Sequence, residues 1–162
     1  MAFEITGSSI ISFVVLTSLL LIYSILDIRN RRVSNRVMIA GAVIGFVVVL
    51  TSGHLFERII LHLTAGTIMI LFGYTLFRIG SFGGADAKSV ITMAIVSPGL
   101  EFGKWNDPIL EGVVISGIIL SSVLLIAYVY SRFYNQSKIE KPIPLIPIIL
   151  GAYLLIQIIA IF

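Results

Sequence analysis

Five stretches of the chain are apolar for close to the length that crosses a bilayer, about 20 residues with a range of about 17–25. They run roughly Ser8–Leu26, Val37–Ser52, Ile59–Phe77, Gly112–Ser131 and Ile143–Phe162. A sixth, near Ala85–Leu100, is short and carries Asp86 and Lys88 at its start and Pro98 near its end. Its centre, Ser89–Val96, holds no charge and reads as a helix. The first run follows Glu4 rather than basic residues and exceeds a signal-peptide core, so it reads as a genuine span. The pattern predicts an all-α polytopic membrane protein of six transmembrane helices, one domain over residues 1–162.

Lys and Arg sort the connections between those spans. Arg29, Arg31, Arg32 and Arg36 separate the first two; Arg78 and Lys88 flank the link from the third to the fourth. Arg132, Lys138 and Lys141 lie between the fifth and sixth. Only Arg58 and Lys104 fall on the other side. Basic residues collect in cytoplasmic loops, so both termini are expected outside and segments 27–36, 78–88 and 131–142 inside. The acids sort the opposite way: Asp27, Asp86 and Glu140 alone lie inside, and Glu140 has Lys138 and Lys141 beside it.

Composition narrows the class. Hydrophobic residues make up 58% and charged residues 12% of the 162, and mean hydropathy is +1.09. A soluble domain carries about 25% charged residues, so a soluble enzyme, a disordered tail and a coiled coil are excluded. The net charge of +3 belongs to loop topology and membrane lipid, not to a nucleic-acid partner. There is no cysteine, which removes disulfides, thiolate zinc sites and thiol catalysis. No cofactor or metal is expected.

Asp27 ends the first span and Asp86 opens the fourth. Two crossings lie between them, so both carboxylates belong to one membrane face. An aspartate costs about 2.5–3.5 kcal/mol at the centre of a membrane helix and less near the interface. A pair held at one depth points to chemistry that needs carboxylates. Without a metal that chemistry is aspartyl proteolysis. Like charges a few ångströms apart cannot both ionise, so the two share one proton. The anion takes a proton from water, and the neutral acid donates to the scissile carbonyl. By position along their helices, Asp86 sits near an N-terminus that favours an anion and Asp27 near a C-terminus. That asymmetry makes Asp86 the base and Asp27 the protonated partner. Gly80, Gly83 and Gly84, just before Asp86, leave room for a substrate strand to approach the backbone.

At these residues the chain resembles the type IV prepilin peptidases, a group that includes the archaeal preflagellin peptidases, the GxGD-type intramembrane aspartyl proteases. The family's first aspartate is followed by a basic stretch, commonly Asp-x-Arg and then Pro-Asn. Here Asp27, Arg29 and Asn35 match, and Ser34 replaces the proline. The second motif, Gly-x-Gly-Asp-x-Lys, reads Gly83-Gly84-Ala85-Asp86-Ala87-Lys88, with Ala85 in place of the second glycine. The resemblance covers about residues 20–130. It implies Asp27 and Asp86 as catalytic, with Gly83, Gly84, Ala85 and Lys88 on the substrate. It implies a prepilin or preflagellin precursor as partner, cut just after a glycine between a short basic leader and an apolar helix at the cytoplasmic face. Larger bacterial members add a cysteine-rich segment and an N-methyltransferase activity; with no cysteine, peptidase activity alone is expected here.

Other residues read more plainly. His62 is expected to be a packing histidine, and His54 a loop histidine with no evident partner. Gly41 and Gly45 have the spacing for close helix packing within the chain. Pro147 is expected to kink the last helix. The arginine cluster reads as a topology signal bound to anionic lipid head groups rather than a substrate contact. The rival reading is a small proton-coupled transporter using Asp27 and Asp86 as a relay. It needs a polar path to the outer face, where only His62 and scattered hydroxyls are expected.

Overall fold

The computed structural model describes residues 2–3, 6–134 and 144–161. Glu4, Lys138, Glu140, Lys141 and Pro142 lie outside the described residues, as do the side chains of Lys104, Phe133 and Tyr134. The elements in order are β1 (Ala2–Phe3), α1 (Gly7–Asn30), α2 (Asn35–Thr51), α3 (His54–Glu57), α4 (Ile59–Arg78), α5 (Gly84–Val96), β2 (Gly103–Lys104), α6 (Pro108–Tyr134) and α7 (Ile146–Ile159). The two short strands pair antiparallel, Ala2 opposite Lys104. All else that is regular is helical.

Among the described residues three helices are long and apolar enough to cross a membrane: α1, α4 and α6 over Pro108–Tyr130. α2 and α7 are apolar but shorter, and α5 has 13 residues, about 20 Å at 1.5 Å per residue. Large apolar side chains face outward along the helices, among them Val14 and Ile25 on α1, Ile44 on α2, Leu71 on α4 and Leu125 on α6. A protein with such a surface is solvated by lipid, and this is a membrane protein.

α5 is the axis. α1, α2, α4 and α7 all pack on it, and α4–α6, α6–α7, α7–α1 and α1–α2 contacts carry a ring of helices round it. The ring is open in one place: α2 and α4 both pack on α5 without forming a packed interface with each other. The core between them includes Leu16, Leu20, Met69, Val90 and Met93, all fully buried. Gly41 and Gly45 pack α2 inward as their spacing predicted. A Cβ at Gly41 would run into the Tyr23 hydroxyl, and one at Gly45 into Val96.

α5 ends two residues before Pro98, whose ring bars the helix from continuing. The chain then runs irregularly, yet residues 97–101 are buried. Irregular backbone is tolerated at membrane depth only where protein surrounds and satisfies it. Here side chains do so. Glu111 accepts from the N–H groups of Leu100 (3.0 Å) and Trp105 (3.2 Å). Gln157 on α7 accepts from Glu101 N and donates to Gly99 O, each at 2.8 Å. Arg58 donates to Leu100 O.

The same region corrects two expectations. His54 has a partner on each side: its Nε2 lies 2.9 Å from Glu101 Oε2 and its Nδ1 3.2 Å from His62 Nε2. Ser97 donates to the other Glu101 oxygen at 2.6 Å and meets the Tyr153 hydroxyl at 2.8 Å. This end of the bundle therefore holds a buried polar network, not His62 and scattered hydroxyls. Pro147 does not kink α7 either, since it lies in the helix's first turn, where its missing N–H is not needed.

Candidate active site

Asp27 and Asp86 meet at the opposite end of α5 from that network. Both line a cavity of about 580 Å³ built from the end of α1, the turn Arg31–Asn35, the segment Gly83–Asp86 and Pro144. Each aspartate is 8% exposed.

Local chemistry turns the chain around Asp27. α1 closes with Arg31 in the left-handed region (φ 54°), its N–H bonded to the Asp27 carbonyl at 2.9 Å. Among the described residues Arg31 alone of the non-glycines has a positive φ. The turn that follows ends at Ser34, which caps α2 by accepting from Val37 N at 3.4 Å. A proline here would lack the capping oxygen, so the departure from the family pattern has a local use. The turn also brings Arg31 and Arg32 onto the cavity wall. Half of the arginine cluster thus faces the cavity, where a purely lipid-bound role was expected.

Asp86 sits in the first turn of α5 and reaches back so that its Oδ2 accepts from Gly83 N at 2.9 Å. Gly83 is glycine for space, not for backbone freedom, because its φ is −71°. A Cβ there would lie 2.9 Å from Asp86 Oδ2, whereas one at Gly84 would make an ordinary 3.6 Å contact with Phe77. The glycine at a positive φ is Gly80 (79°), which turns the chain out of α4. Gly83→Ala is expected to dislodge the Asp86 carboxylate and cut activity at this site about 10-fold or more, in line with what small displacements of reacting groups cost. Gly84→Ala should cost far less. Parallel rate measurements on the two variants check this.

Asp27 Oδ2 is buried and has no hydrogen-bond partner among the described residues; α7, which begins at Ile146, packs along α1.

Of the expected substrate residues, Gly83, Gly84 and Ala85 line the cavity. Lys88 stands one turn further along and donates to Asn35 Oδ1 at 2.6 Å, joining the two sequence motifs. No cluster of three or more metal-ligating side chains occurs among the described residues.

A family model described as the type IV leader peptidase family matches residues 14–161. The chain is 30% identical over 152 residues to a preflagellin peptidase of Methanococcus voltae. That alignment takes in 83% of this chain and 64% of the relative. No solved structure matches the chain significantly.

Proposed function

Because the chain belongs to the type IV leader peptidase family, we propose that it is a membrane aspartyl endopeptidase. It removes the short basic leader of a prepilin- or preflagellin-like precursor. The observation that carries this reading is the shared cavity of Asp27 and Asp86, two carboxylates from distant helices beside a backbone segment short of side chains. The six apolar segments each cross the bilayer, both termini lie outside, and the cavity opens at the cytoplasmic face of the cell membrane. The sorting of basic residues supports that orientation. α5 crosses together with the buried irregular segment that follows it.

The dyad holds one proton. Its ionised member draws a proton from water, the oxygen adds to the carbonyl carbon after the leader's last residue, and the neutral member protonates the carbonyl oxygen. Collapse of the tetrahedral intermediate breaks the C–N bond, and the departing amine takes a proton from the dyad. Gly83, Gly84 and Ala85 let the extended substrate lie against the backbone. Lys88 fixes the turn of Asn35 at the cavity wall. Glu140 and the two aspartates are the inside acids available to draw in a basic leader against Arg31 and Arg32. No metal or cofactor takes part, and the new N-terminus is left unmethylated.

The proton-relay reading has buried polar groups to draw on, in the Glu101 network and in Ser89 and Thr92 of α5, but it does not account for the match to a peptidase family.

The test is co-expression with a candidate precursor, following leader removal by gel shift. The leader should be lost, and the rate should be bell-shaped in pH, since only the singly protonated dyad works. Uncut precursor with the wild type ends the reading.

A further inference from the structure

The one uncovered face of α5 lies in the opening between α2 and α4. Gly84, Ala85, Lys88, Ile91 and Ile95 are its only residues that are not buried. They recur at helical spacing and form a single stripe. Phe77 of α4 stands beside Gly84 and Asn35 of α2 beside Lys88, so the stripe runs between those two helices. It begins at Gly84 and Ala85, which line the cavity of the two aspartates. Its far end, Ile95, is the floor of an apolar groove of about 600 Å³. From Ala85 to Ile95 the track covers about 15 Å at 1.5 Å per residue, half of a hydrocarbon core about 30 Å thick.

The groove walls are apolar. Phe46 comes from α2, Leu63, Gly66 and Ile70 from α4, and Ala94 from α5. Thr67 and His62 of α4 also line it, but the Thr67 hydroxyl is taken by the Leu63 carbonyl at 2.7 Å and His62 Nε2 is paired with His54 Nδ1 at 3.2 Å. An occupant with a polypeptide backbone must therefore satisfy most of its own hydrogen bonds, as a helix does. A Cβ at Gly66 would meet nothing within 4 Å, so this position opens onto free space.

We propose that the apolar helix of the precursor docks in the gap between α2 and α4, along the open stripe of α5. The argument for this occupant is continuity. The unburied stripe of α5 leads from the groove, past the Lys88–Asn35 hydrogen bond, to Gly84 and Ala85 at the cavity of both aspartates, so a helix seated along it delivers the residues just before it to the cavity. A lipid chain would fit the same walls but carries no peptide bond to present there. The inference rests on the peptidase reading and adds where the uncleaved part of the substrate lies.

Gly66→Phe projects a ring into the groove and should slow precursor cleavage at least tenfold. Leu125→Phe, on the lipid-facing side of α6, should leave it at the wild-type rate. Cleavage of the precursor by Gly66→Phe at the wild-type rate overturns the inference and leaves the groove to lipid. In case the bulky variant misfolds, the lack of native cysteine permits a second measurement. Gly66→Cys, combined with Asp86→Asn to retain uncut precursor, should form a disulfide with single cysteines placed in the precursor's apolar segment. Leu125→Cys should not. Equal cross-linking at both positions, or none at Gly66→Cys, overturns the inference. A short peptide spanning the cleavage site separates the failures. If the wild type cuts neither precursor nor peptide, the peptidase reading fails and this inference with it; if it cuts both and position 66 is indifferent, the docking site alone fails.

Discussion

Asp27→Asn and Asp86→Asn are each expected to lower leader removal by about 10²–10⁴-fold, the usual contribution of a positioned acid or base. Asn preserves the shape of Asp but supplies neither a base for water nor an acid for the carbonyl. The fold should tolerate both changes. In Asp86→Asn the new amide would still offer an oxygen to the Gly83 N–H, now 2.9 Å from Asp86 Oδ2. Asp27 Oδ2 has no hydrogen-bond partner among the described residues to lose. Replacing a carboxylate by a neutral amide also removes part of the cost of burying it. Expression and thermal stability should therefore match the wild type while cleavage is lost. That separation distinguishes a reacting pair from interfacial acids that merely cap helices.

Gln157→Leu is expected to do the reverse, costing stability with no direct contact to the aspartates. Gln157 is 1% exposed and bonds both Glu101 N and Gly99 O in the irregular segment after α5. Leucine is close in size and apolar, so packing is largely kept, but a buried N–H and a buried C=O lose their partners. Each such orphan costs about 1–3 kcal/mol, or about 2–6 kcal/mol for the two. Thermal unfolding in detergent should show a marked fall in Tm, and the protein that remains folded should still cleave. An unchanged Tm would mean that the segment finds its hydrogen bonds elsewhere.

Much of this arrangement was legible in the sequence, for identifiable reasons. Apolar runs placed α1, α4 and α6 within a few residues, and the short fourth run became α5, which stops at Val96 before Pro98 rather than running on to Leu100. That Asp27 and Asp86 lie at one end of the bundle followed from counting crossings, which depends on order along the chain; that they line one cavity depends on packing. The glycines beside Asp86 were legible as a site that needs little side chain, although the need proved to be space at Gly83 rather than unusual backbone. What could not be read came from elements distant in sequence. Periodicity says which face of a helix is apolar, but not that α7 would pack along α1. Nor does it say that Glu101, Glu111, His54 and Gln157 would converge on one buried loop. The signal was present in retrospect: five apolar spans and a short sixth left a stretch near Pro98 whose backbone groups had to be satisfied by something, and polar residues in otherwise apolar helices were the available donors and acceptors. The opening between α2 and α4 depends on which helices do not touch, and no local pattern encodes that.

The claim beneath all of this is that two carboxylates act as one hydrolytic unit. The most direct test compares leader-removal rates of Asp27→Asn, Asp86→Asn and the double variant at matched protein levels. A unit is disabled once by the loss of either part, so all three rates should be equally low. Separate losses that multiply in the double variant, or wild-type cutting by either single variant, would contradict the account.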